Sequence, residues 1–265
     1  MPGVTTLRVS SHDDPDRVSN TQFTVSMSKR SLFNVERASP VFVSFANVFD
    51  NVTIYHDTRF TFVTDTVATF TNAPTTTTFD VPTGRYTGTT LAAYITANSP
   101  DLDCKVNAVN AFKFDFTATS AVLYVGLYPT DTPPNTPDMY NLLGLTAANQ
   151  VAIAPLGTTT ATNPMNLFGP TTAFLYVRQL NEDFIDSENS GSKFNAIAAI
   201  PLGKTPYGGM VQWEPKDIEQ ASQYFSDERD CSALQVRLRD EDGNLLILPT
   251  INELVFVVRL YSRSM

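Results

Sequence analysis

Short runs in which apolar and polar residues alternate, broken by Pro, Gly, Asn or Asp, recur along the whole chain. They restrict it to a many-stranded antiparallel architecture with few helices. The runs fall at Gln22 to Ser26, Ser31 to Glu36, Val41 to Val48, Val52 to His56, Arg59 to Thr64, Thr76 to Val81, Ala111 to Thr117 and Ala121 to Gly126. Further runs follow at Thr172 to Arg178, Phe194 to Leu202, Gly209 to Trp213, Leu234 to Arg239, Leu245 to Leu248 and Leu254 to Tyr261. Between Ala111 and Thr117, Phe112, Phe114 and Phe116 share one face while Lys113 and Asp115 take the other, which predicts a sheet wet on one side. The clearest local signal is Leu234 to Asp240 followed by Asp242-Gly243, the dipeptide of a tight hairpin, with Leu234, Val236 and Leu238 facing inward. Leu254 to Leu260 is too continuously apolar for a fully wet face.

Two short helices are expected. Thr87 or Thr89 can cap a helix within Tyr86 to Ala97 that carries Leu91, Tyr94 and Ile95 and stops at Asn98-Ser99-Pro100. Asp138 can cap a second turn with Met139, Leu142 and Leu143, ended by Gly144. Pro129 to Pro137 and Ala154 to Pro170 form long loops of the kind that bind something or cover an edge. With no repeat and no Gly/Ser linker, the chain parses as an N-terminal arm, 1–30, and one domain, 31–265. No large inserted domain is evident.

At 265 residues and 29.1 kDa the chain can bury a substantial core without disulfides or metals. Its 27 acidic and 18 basic side chains give a formal charge of -9, which disfavours non-specific nucleic-acid binding and argues against a nucleic-acid partner. The start, Met1 to Arg17, lacks an apolar signal region, and no run approaches a bilayer span, so the expectation is a product cytosolic and soluble when made. Cys104 and Cys231 are read as buried free thiols in preference to one long-range disulfide. His12 and His56 are the only imidazoles, too few for a three-histidine metal site.

Catalytic signatures are missing. There is no Gly-x-Ser-x-Gly elbow. The Gly84 to Gly88 run lacks the Lys-Ser/Thr pair of a phosphate loop and reads as a turn into a helix. Asp13, Asp14 and Asp16, then Glu182, Asp183, Asp186 and Glu188, then Asp240, Glu241 and Asp242, read as solvated turns rather than calcium or glycosidase sites. His56 beside Asp57 has no nucleophile candidate nearby. Trp213 and Tyr207, flanking Gly208-Gly209, suit a core position, a sugar platform or a subunit hot spot, with core packing preferred. No catalytic, cofactor or metal residue is assigned.

The order of these features resembles the penton or minor capsid proteins of virophages and large eukaryotic double-stranded DNA viruses of the jelly-roll lineage. The resemblance runs through Leu7-Arg-Val-Ser-Ser-His-Asp-Asp-Pro-Asp-Arg17, Phe23-Thr-Val25, Phe79-Asp-Val-Pro-Thr-Gly-Arg-Tyr86, Leu142-Leu-Gly144, Ala198-Ala-Ile-Pro-Leu202 and Leu234 to Gly243. Ser10-Ser11-His12 departs from the Asp-Ser-Arg-type start common in that family. The resemblance implies an all-β, antiparallel two-sheet sandwich, a single jelly roll with an N-terminal arm and one or two short helices. It further implies a structural, non-enzymatic virion protein without cofactors, assembled in the host cytoplasm. The implied partners are itself, as a homopentamer at the five-fold vertices of an icosahedral shell, and the neighbouring major capsid protein. Whether an internal membrane lies beneath the shell is left open. On this reading the arm before Phe23 and the two long loops lie at subunit contacts, and the arm is dispensable for the fold. The alternatives are a viral attachment or carbohydrate-binding module on the same sandwich, using Trp213 or Tyr207, and a β-sandwich glycoside hydrolase or lyase.

Overall fold

The computed structural model describes residues 3–27, 32–55, 58–127, 138–146, 152–180 and 196–262. In chain order its elements are β1 (Gly3–Ser10), β2 (Gln22–Ser26), β3 (Leu32–Ala46), β4 (Arg59–Asp65), β5 (Thr75–Asp80), α1 (Gly88–Asn98), β6 (Leu102–Val106), β7 (Phe114–Ala118) and β8 (Tyr124–Gly126). Then follow α2 (Asp138–Leu143), β9 (Thr158–Thr160), β10 (Thr172–Val177), β11 (Ala198–Pro201), β12 (Met210–Trp213), β13 (Gln223–Cys231), β14 (Ala233–Arg239) and β15 (Val255–Ser262). They group into two compact units, residues 1–49 with 170–265, and residues 50–169.

The first unit is the expected jelly roll. One sheet has the order β1-β15-β3-β12, with β13 also on β3, and the other has the order β11-β10-β14-β2. Setting β13 aside, the first framework strand pairs with the last, the second with the next to last, and so inward, each pair antiparallel. Successive pairs fall in alternate sheets. That is one long hairpin rolled up so that its two halves lie face to face. The inner residues of both sheets build a single core: Val9, Val43, Phe45, Phe256 and Val258 from one, Phe23, Leu175, Ile200, Val236 and Leu238 from the other. In β14, buried Leu234, Val236 and Leu238 alternate with exposed Gln235 and Arg237, as the period-2 pattern requires. The outer residues of β15 are half-buried, so its outer face is not fully wet.

The second unit is formed by the chain that follows β3 and precedes β10, the third and fourth framework strands, and has its own core. Two three-stranded sheets, β5-β4-β8 and β6-β7-β9, enclose Phe60, Phe62, Phe114, Phe116 and Leu102. Helix α1 starts at Thr87, whose Oγ1 accepts from the Thr90 amide at 3.2 Å while Thr90 Oγ1 accepts from the Thr87 amide at 2.9 Å. These reciprocal bonds satisfy orphan donors of the first turn. The helix ends at Ser99 and buries Leu91, Ala92 and Ile95. Helix α2 buries Met139, Tyr140, Leu142 and Leu143 and stops at Gly144, where φ is +74° and a Cβ would stand 2.2 Å from the Asn163 carbonyl oxygen. Only glycine fits there.

Several expectations differ from these observations. The 1–30 arm and single 31–265 domain give way to two units, because residues 3–10 and 22–26 are strands within the sandwich and residues 50–169 close on a separate core. An inserted unit is therefore present. Leu245 to Leu248 is not a strand: β14 already has β10 and β2 on its two edges, and only the Arg239↔Leu245 bridge remains beyond the turn. That turn does form, with Gly243 at φ +85° and the Asp240 amide bonded to the Asn244 carbonyl at 2.9 Å. Val52 to His56 shows only the Val52↔Gly84 bridge, and His56 lies outside the described residues. Phe112 is two-thirds exposed because a turn over Asn110–Lys113 delays the strand to Phe114. Loop 129–137 lies outside the described residues. Loop 154–170 covers an edge: β9 pairs with β7, and the amides of Ala161 and Met165 bond to Phe114 and Phe112 carbonyls at 2.8 and 2.6 Å.

Candidate assembly surfaces

In the first unit the N-terminal segment is stitched to the C-terminal one. The amide of Ser11 donates to the Leu254 carbonyl at 2.9 Å, the Ser10 hydroxyl bonds Glu253, and Arg8 lies 3.8 Å from the same carboxylate. Ser10 and Asp13 form a capping box over a single 3-10 turn, Ser11–Asp13. Buried Asn20 donates through Nδ2 to the carbonyls of Pro249 (2.9 Å) and Asn252 (2.7 Å) and accepts from Arg17 Nε at 2.6 Å. The Thr21 hydroxyl donates to the Leu246 carbonyl. These bonds hold the loop of Val18 against the loop of Ile247 and Ile251, three exposed apolar side chains at one end of the sandwich. Nothing in the local sequence around Asn20 distinguishes it from a solvated loop residue.

Beside β2 lies a groove of about 230 Å³, lined by Asp14, Asp16, Val18, Thr24, Gln235 and Arg237. It is smaller than a typical ligand cleft and lacks the apolar walls such clefts have. On the outer face of the other sheet, the Arg37 guanidinium sits 3.6 Å from the Tyr261 ring centre and donates to the Tyr224 hydroxyl at 3.1 Å. This clasp joins β3, β15 and β13 across the sheet surface.

In the second unit, buried Asn51 accepts from the Tyr86 amide at 2.9 Å and donates to the carbonyls of Tyr86 and Leu167, both at 2.8 Å. It ties together the two chain ends of this unit, a role its sequence neighbourhood does not announce. Burial pushes the Asp50 carboxyl above its ordinary range, against the pull of Arg85. The Lys105 hydrogen bond holds Asp103 below it, helped by Thr96. Exposed Val109 and Phe112 crown the turn between β6 and β7. Val122 and Leu156 are also exposed, on loops joined by the Leu156 amide bonded to the Ser120 carbonyl.

The sequence-derived candidates scatter. His56, Asp57 and the 182–188 acidic group lie outside the described residues. Asp14 accepts from the Thr24 amide at 2.8 Å, and Asp240 organises its turn through Asn244 and Asp242. Glu241 accepts from the amide and hydroxyl of Thr171, each at 3.0 Å, anchoring the start of β10. Trp213 is partly buried against the first unit's core, and Tyr207 is half exposed. Among the described residues no three His, Cys, Asp or Glu side chains gather as a metal site.

Cys104 and Cys231 are both buried thiols outside any disulfide. Burial, with Asp103 and Asp115 nearby, pushes the Cys104 thiol far above its ordinary value, so the reactive thiolate is suppressed. The native protein should therefore show no rapidly reacting thiol toward a chromogenic disulfide reagent, and both should react after unfolding. Immediate labelling of either cysteine in the native state would contradict the burial.

No family model matches the chain, and no curated protein matches its sequence. Among solved structures it aligns with the crystal structure of selenomethionine-labelled mavirus penton protein, at a TM-score of 0.54 and 9% identity. The alignment covers 98% of this chain and 100% of that one, so its span takes in both units. At that identity the likeness establishes the fold. It is the fold of a penton protein, the family that the order of sequence motifs resembles.

Proposed function

We propose that this chain is a structural subunit of a viral capsid, the penton that assembles as a homopentamer at the five-fold vertices and abuts the neighbouring major capsid protein. The observation that carries the reading is the rolled pairing of the first unit's eight framework strands, together with its likeness to the mavirus penton protein. A sandwich of this kind has rigid sides and loop-bearing ends on which copies can associate through heterologous contacts that close into a ring. The polar groove beside β2 and the dispersed acidic residues fit a chain whose work is done by its surfaces. The reading also places the protein in the virion after assembly in the host cytoplasm.

Light scattering on the purified full chain, run across a concentration series, tests this. The expected assembled species has a mass close to five times 29.1 kDa. A chain that stays monomeric both alone and when mixed with major capsid protein would refute the penton assignment.

A further inference from the structure

The first unit's larger sheet ends on β1, and its register with β15 determines which backbone groups of that strand are used. Pairing runs without a shift from Gly3↔Ser262 to Ser10↔Val255, and the Ser11 amide bonds the Leu254 carbonyl just beyond. Antiparallel bonding alternates along a strand, so Gly3, Thr5, Leu7 and Val9 face β15. The N–H and C=O groups of Val4, Thr6 and Arg8 point away from the sheet, and no hydrogen bond among the described residues takes them. An eight-residue edge strand without bulge, Pro or Lys is a ready template for another strand. The edge of β2 is guarded by contrast: the Asp14 carboxylate takes the Thr24 amide, and Ser19 pairs with Gln22.

The opposite edge of the same sheet includes β12. The Asn47 amide bonds the Gly209 carbonyl at 2.8 Å and the register continues to Trp213↔Val43, so Met210 and Gln212 turn their backbone groups outward. Each step from β1 to β15, β3 and β12 is antiparallel, so β12 runs opposite to β1. A second copy keeping the same strand direction therefore presents its β1 antiparallel to this β12. The faces also agree. Val4, Thr6 and Arg8 on one edge, and Met210 and Gln212 on the other, are all exposed, while Thr5 and Leu7 between the first three are half-buried and Val211 between the other two is buried. Arg8 is the one charged side chain among these five, so no like charges meet.

We infer that β1 of one copy pairs with β12 of the next, continuing the sheet from subunit to subunit through a heterologous contact. This rests on the reading that the chain assembles with itself, and it assigns the strands that do so. In the full chain, Thr6→Pro removes an outward N–H and leaves the Thr5 and Leu7 bonds to β15 in place, a substitution an edge strand tolerates. Gln212→Pro does the same on the other edge. Each variant should keep the far-UV circular dichroism of the wild type, and sedimentation should show association weakened about tenfold or more. In the wild-type oligomer, amide exchange at Val4, Thr6, Arg8, Met210 and Gln212 should slow, and the protection should vanish on dilution to monomer.

A wild-type oligomer with unprotected amides at these five positions, or variants that assemble like the wild type, would overturn the strand assignment and leave the penton reading standing. A two-chain species protected on β1 alone would mean that β1 pairs with its own copy, which also overturns it. A wild type that never associates overturns both. Should either proline variant unfold, the exchange measurement on the wild type decides.

Discussion

Removing residues 1–21 is expected to unfold the first unit. Trp213 fluorescence, the single tryptophan signal of the chain, should lose its cooperative urea transition. The deletion takes away β1, with buried Val9, worth about 1.5–3 kcal/mol of burial, and partly buried Leu7. It also removes the part-buried Asn20 bonds to the Pro249 and Asn252 carbonyls, at about 0.5–1.5 kcal/mol each, and the buried Thr21 bond to Leu246, whose carbonyl left unsatisfied costs about 1–3 kcal/mol. Together these losses reach the order of a domain's whole stability, about 5–15 kcal/mol. A truncated chain with an unchanged transition would restore the picture of a dispensable arm.

Phe60→Ala should have the next largest effect, destabilising the second unit by about 3–5 kcal/mol. The ring is wholly buried, 5.5 Å from Phe79, 5.9 Å from Tyr140, 6.2 Å from Phe62 and 6.4 Å from Phe116, so truncation opens a cavity at the centre of an aromatic cluster. Hydrogen exchange at amides of β4 and β7 would measure it, with Phe60→Leu as a milder companion. A loss below about 1 kcal/mol would mean that the site collapses around the missing ring.

What could be read from the sequence follows the reach of each signal. Alternation located β2, β4, β10, β12 and β14 closely, because one buried face imposes a period of two on the residues themselves. Both helices and their stops were legible from Thr87, Ser99 and Gly144, since caps are local chemistry. The strand nature of residues 3–10 was not, for Gly3–Ser10 becomes a strand by pairing with a segment at the far end of the chain. The division into two units was equally hidden. Residues 50–169 alternate as the framework does, and only three-dimensional packing separates Phe60 and Phe116 from Phe45 and Phe256. The Asn20 and Asn51 clasps also join segments distant in sequence, so neither side chain stands out from its neighbours. Phe112 shows the opposite failure, a periodic position overruled by a turn.

The pairing of Gly3 with Ser262 carries a consequence for biosynthesis. While the ribosome is still translating, β1 has no mate, and the larger sheet stays incomplete until β15 has been made. Residues 50–169, being contiguous, can condense long before that moment. A chain cut short before β15 therefore never acquires the finished sheet.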